Sequence, residues 1–75
     1  MYAITISPED AGKTMREILN RAQQSEEFEQ KLGSPYADLS CMVTLDDNIV
    51  SYTDLDTTTV QEGQAFKVYL MVAGG

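Results

Sequence analysis

Four features of this sequence invite a chemical reading. They are the closing Val72-Ala73-Gly74-Gly75, the single Cys41, the acidic residues Asp46, Asp47, Asp54, Asp56 and Glu62, and the run Gly12-Lys13-Thr14. The chain contains no His, which excludes Ser-His and Cys-His nucleophilic pairs and histidine metal sites. Cys41 alternates with Val43 and Leu45 and has no neighbouring Lys or Arg to lower its pKa, the setting of a buried structural thiol. A redox or acyl-carrying cysteine is the competing reading. The acidic residues lack the Asp-x-Asp-x-Asp-Gly order and terminal Glu of a calcium loop, so they read as a solvated acidic edge and no metal is expected. Gly12-Lys13-Thr14 resembles the end of a phosphate-binding loop, but Ser7 stands where the earlier glycine is required, and Thr14 reads as a helix cap.

The final residues are different in kind. Gly74 and Gly75 have no Cβ, so a segment ending in them can extend, take up φ values closed to other residues and thread a narrow channel in another protein. Three residues beyond Val72 reach at most about 10 Å. A carboxylate on Gly75 is ionised at neutral pH and can attack the α-phosphate of a nucleotide. The resulting mixed anhydride could be captured by sulfur or by an amine. The simpler alternative is that Gly-Gly is only where the gene stops.

The elements that must position such a tail are readable from periodicity. Tyr2, Ile4 and Ile6 alternate with Ala3, Thr5 and Ser7 as in a half-buried strand, which Pro8-Glu9-Asp10-Ala11-Gly12 breaks. Thr14 and Glu17 form a capping-box pattern, and Met15, Ile18, Leu19 and Ala22 follow at the spacing of one apolar helix face, which predicts a helix over 14–24. Ser25-Glu26-Glu27 could restart a helical turn, with Phe28 and Leu32 on one face and Gly33-Ser34-Pro35 as its stop; continuation and separate short helix remain open.

Leu39, Cys41, Val43 and Leu45 then alternate against Ser40, Met42 and Thr44 as a second strand. Asp46-Asp47-Asn48 suits a tight turn, and Ile49-Val50-Ser51 returns to close a hairpin. Leu55 and Val60 are isolated apolar anchors in a polar connection. The last strand, over 65–72, is apolar on both faces and belongs in the middle of a sheet. The order predicts a single α+β domain over 1–75, a mixed sheet with one main helix packed across one face, and a flexible tail at 73–75.

Composition limits the function further. A chain of 75 residues holds one domain that buries roughly 60% of its unfolded surface, with no room for a separate catalytic domain. Twelve acidic against five basic residues give a net charge of -7, which repels nucleic acid and anionic membranes; it serves solubility or docking to a basic partner. One cysteine, no signal-like opening and no apolar run of roughly 20 residues lead to the expectation of a soluble cytoplasmic protein.

The stretch from Val43 to Gly75 resembles the small sulfur-carrier proteins, namely the thiamine-pathway sulfur carrier and the small subunit of molybdopterin synthase. The residues concerned are Val43-Thr44-Leu45, Ile49-Val50, the turn Val60-Gln61-Glu62-Gly63-Gln64 and the closing Val72-Ala73-Gly74-Gly75. Ala11-Gly12-Lys13-Thr14-Met15-x-x-Ile18-Leu19 is also similar to the family's helix start. The resemblance implies a ubiquitin-like β-grasp fold and adenylation of Gly75 by an adenylyltransferase-type activating enzyme that uses ATP. It further implies a thiocarboxylate that donates sulfur to a sulfur-acceptor synthase in thiamine, molybdopterin or related biosynthesis, with Ala73 and Gly74 threading the partner's channel. The chain would then be a carrier rather than an enzyme and would hold no stable cofactor. Only one strand precedes the helix where the family has two, so the sheet is expected to be short by a strand or completed by a partner, including a homodimer through an open edge.

Two further functions stay open beside sulfur carriage. One is protein modification, with Gly75 captured by a lysine amine; the other is a non-catalytic binding module that leaves Gly74-Gly75 idle. In either case Tyr69 and Met71, flanking the tail on the face away from the helix, are candidate docking residues, against the alternative that they are core.

Overall fold

The computed structural model of the chain describes residues 1–71. Strands β1 (Tyr2–Ile4), β2 (Cys41–Leu45), β3 (Asn48–Val50) and β4 (Phe66–Leu70) and helices α1 (Met15–Ala22) and α2 (Glu26–Leu32) make an α+β unit. The sheet order is β1-β4-β2-β3. The final strand lies between two others, as its two apolar faces predict. Val72, Ala73, Gly74 and Gly75 lie outside the described residues.

Every strand pairing is antiparallel, so the sheet is not mixed as expected. Tyr2 pairs with Val68 and Ile4 with Phe66. The reason lies in residues 5–14, which supply no second strand. Pro8 has no N–H to donate to a ladder and opens a one-turn 3₁₀ helix over Pro8–Asp10. The chain is then pinned against 55–60: Gly12, Met15 and Arg16 N–H donate to the carbonyls of Val60, Thr58 and Leu55, while Val60 N–H donates to that of Lys13. A lone first strand therefore lies along β4 in the opposite sense.

Both helices pack on one sheet face. Met15, Ile18, Leu19 and Ala22, the predicted stripe of α1, are buried with Phe28 and Leu32 of α2 against Ile4, Ile6, Cys41, Val43, Phe66 and Val68. Thr14 caps α1 by accepting the Glu17 N–H at 3.2 Å. Instead of one main helix there are two of 8 and 7 residues. Ser25 ends the first by taking extended geometry and capping the second through the Glu27 N–H, and Gly33 closes the second at φ 80°. The separate axis lets Phe28 meet the Tyr2 ring edge-on at 5.0 Å between centroids. Leu55 and Val60 are fully buried.

The β2–β3 hairpin closes through Asp46 and Asp47 alone, at φ 51° and 68°. Positive φ at both positions gives the turn twist that matches paired strands. Leu39 does not extend β2: it sits in a turn closed by Ser40 and Cys41 N–H donating to Ala37 O, and it is 79% exposed. Among the described residues no helix is long and apolar enough to cross a membrane.

Candidate functional site

Strand alternation divides the sheet into a covered and an open face. With Phe66, Val68 and Leu70 turned to the helices, Lys67 and Tyr69 of β4 point the other way beside Thr44 and Met42, their register partners on β2. Ala3 and Ile49 join this open face from the two outer strands. No helix covers it. Tyr69 is half-buried among these neighbours, and Met71, just past β4, is 48% exposed. The Met71 N–H donates to Ser40 O at 2.8 Å, which fixes the end of the described chain beside the 37–40 turn.

A length mismatch opens a cleft here. β2 has five residues and β3 three, with Val50 pairing to Val43, so the start of β2 has no strand on that side. Into this gap converge Leu39 from the turn before β2, Ile49 from β3, Tyr52 from the 3₁₀ turn Tyr52–Asp54 and Met71 from the end of β4. Together with Tyr36, Asp38 and Met42 they line a cleft of about 290 Å³. Leu39 (79%), Ile49 (71%), Met71 (48%) and Tyr52 (44%) are four of the five exposed large apolar side chains among the described residues. Their gathering at one place, and not exposure as such, makes this the candidate docking surface.

The polar groups around the cleft are mostly committed. Arg16 of α1 reaches Asp38 at 3.2 Å and Asp56 at 3.3 Å and donates to Tyr52 O, tying helix, turn and connection together. The Tyr36 hydroxyl oxygen is buried without a hydrogen-bond partner. That burial pushes its pKa above the usual tyrosine range, with the neighbouring Asp38 adding to the shift, so it stays protonated. Cys41 is 5% exposed and a free thiol, as its strand position predicts.

Several of the remaining sequence candidates have structural roles. Gly12 turns at φ 88° and Thr14 caps α1. Asp46 accepts from Ala65 N–H and Gln64 Nε2, both at 3.0 Å, and Asp47 pairs with Lys67. Among the described residues no group of three or more acidic or thiol side chains could hold a metal ion. Asp10 was not singled out in the sequence, yet it is 1% exposed. Arg21, the Ser7 N–H and the Ser7 hydroxyl hold its carboxyl well below the usual range. It is an ionised clamp between the 3₁₀ turn and α1. The signal was present in Ser7-Pro8-Glu9-Asp10, a capping-box spacing with Pro at its first position.

Tyr69 and Met71 thus fall on one open face, with Met71 on the cleft and Tyr69 on the strand that leads to it. Gly75, Ala73 and Gly74 are outside the described residues. No family model matches the chain, and no curated protein or solved structure does either.

Proposed function

We propose that the chain is a carrier protein of the ubiquitin-like sulfur-carrier kind, a β-grasp variant with an antiparallel first strand. Its working group is then the Gly75 carboxylate. The observation that supports this reading is the position of the end of β4. The central strand delivers Met71 to the rim of an exposed apolar cleft at the gap beside the start of β2. Four further residues span at most about 14 Å. A partner enzyme docked over the cleft, with Tyr69 and Met71 in its footprint, would receive that segment in its own active site, through which Ala73 and Gly74 thread.

In the proposed reaction an activating enzyme of the adenylyltransferase type binds ATP, and a Gly75 carboxylate oxygen attacks the α-phosphorus while pyrophosphate leaves. Hydrosulfide then attacks the acyl carbon and AMP departs, leaving a thiocarboxylate. A sulfur-acceptor synthase is the second partner, in thiamine, molybdopterin or related biosynthesis. The chain is substrate and carrier, works in the cytoplasm and holds no cofactor of its own. A second reading, a binding module that leaves Gly74-Gly75 idle, is favoured by the antiparallel β1, which departs from the mixed sheet that the family resemblance implies.

The two separate on incubation of the chain with gel-filtered native-host lysate, freed of cysteine and sulfide so that an acyl adenylate forms but is not discharged by sulfur, and ATP labelled in the α-phosphate. Carriage calls for acid-stable label on the chain that disappears when Gly75 is deleted. Absence of label on the full chain, in lysate that supports other adenylation, would leave the binding module.

A further inference from the structure

We propose that the cleft between the start of β2 and the end of β4 takes an extended segment of a partner protein that carries one large apolar side chain flanked by Lys or Arg. The inference builds on the reading of this face as a docking surface and is independent of what becomes of Gly75. Three observations select this occupant.

The first is size. About 290 Å³ falls at or below the lower end of small-molecule pockets, roughly 300–1,000 Å³, and suits an anchoring side chain better than a free ligand. Leu39, Ile49, Tyr52 and Met71 surround the space with the aliphatic, aromatic and thioether groups that grip such an anchor.

The second is charge. Each of the five Lys and Arg residues is already paired: Lys13 and Arg21 with Asp10, Arg16 with Asp38 and Asp56, Lys31 with Glu27, and Lys67 with Asp47. The net charge of -7 is therefore expressed as exposed carboxylates without a cation of their own. At the cleft, Asp38 in the lining shares Arg16 with Asp56, and Asp54, unpaired among the described residues, follows Tyr52 within the same 3₁₀ turn. Among the described residues Arg16 is the one cation beside the cleft, and the three carboxylates of Asp38, Asp54 and Asp56 outnumber it, so a basic flank on the partner meets a net negative rim.

The third is the exclusion of a second copy. Two chains meeting through this cleft would bring like-charged rims together, each on a molecule of net charge -7, and like-charge juxtaposition disfavours that contact.

The test uses the full ¹⁵N-labelled chain titrated with three synthetic peptides: lysines around a central leucine, the same lysines around serine, and glutamates around leucine. The Lys-Leu peptide should shift the amides of Leu39, Ile49, Tyr52 and Met71. It should bind about tenfold or more tightly than either control, the loss expected on removing one buried aliphatic anchor or reversing the flanking charge. Ile49→Ser and Leu39→Ser, at exposed positions that keep the fold, should each weaken it by a similar factor. Equal binding of the Lys-Ser peptide, or shifts centred on Glu26 and Glu29 of α2, would reduce the effect to general charge attraction and overturn the proposal. Self-association in sedimentation that Ile49→Ser abolishes would assign the cleft to a second copy, and would overturn it too. None of these outcomes depends on Gly75, so failure here and failure of adenylation are read separately.

Discussion

Asp46 and Asp47 carry the same side chain in the same two-residue turn, both at positive φ, and they should respond to mutation to very different extents. An L-residue in left-handed geometry costs roughly 1–2 kcal/mol, toward the low end for Asp. Glycine avoids that cost but loses roughly 0.5–1 kcal/mol more chain entropy on folding. Asp47 is 84% exposed and its ion pair with Lys67 spans 3.6 Å, which is worth a few tenths of a kcal/mol. These terms nearly cancel, so Asp47→Gly should stay within about 0.5 kcal/mol of the parent, or about 2–4 °C in a domain of this size. Asp46 also bonds Ala65 N–H and Gln64 Nε2 across to the start of β4. Two such bonds at about 1 kcal/mol each give a loss of about 2 kcal/mol for Asp46→Ala, about 8–16 °C, and about half of that for Asp46→Asn, which keeps one acceptor. Thermal and urea unfolding of the three variants measure this. Asp46→Ala within about 0.5 kcal/mol of the parent, or Asp47→Gly destabilised by more than about 1 kcal/mol, would refute the assignment of these roles.

Leu55→Ala, although it lies in an irregular segment, should cost about 2–5 kcal/mol in urea unfolding, as for any fully buried leucine. Ile49→Ser, at a 71% exposed position, should stay within about 0.5 kcal/mol of the parent by the same assay. The folded pKa of Asp10 is depressed, so its stabilising contribution is complete above the ordinary value of 3.8 and is lost as pH falls below it toward the folded value. Asp10→Asn should be less stable at neutral pH and should lose less further stability between neutral pH and about pH 3 than the parent, read from urea midpoints at both.

Local faces were legible in the sequence because burial imposes its period directly. The α1 stripe, the alternation of β2, the turn at Asp46-Asp47 and the central place of β4 all follow from spacing and residue type. Strand direction was not, since period two specifies which face is buried but not which neighbour lies alongside or in what sense. Leu39 continued the β2 pattern on paper, but the turn at 37–40 begins before any strand is available to pair with it. The Ser25 break was visible as a possibility and was decided by capping and by the Tyr2–Phe28 contact, which joins residues far apart in sequence. The cleft was invisible for the same reason. Leu39, Ile49, Tyr52 and Met71 come from four segments that meet only because β3 is shorter than β2. Tyr69 and Met71 could be singled out because both alternate away from the core on one strand.

Carriage through Gly75 is tested most directly by the intact mass of the chain purified from its native host under sulfur limitation and sulfur supply. The expected result is a chain ending at Gly75 with one carboxylate oxygen replaced by sulfur in part of the population. That fraction should rise with sulfur supply and vanish in a Gly75 deletion. A plain carboxylate under every condition, or a native chain that continues past Gly75, would contradict it.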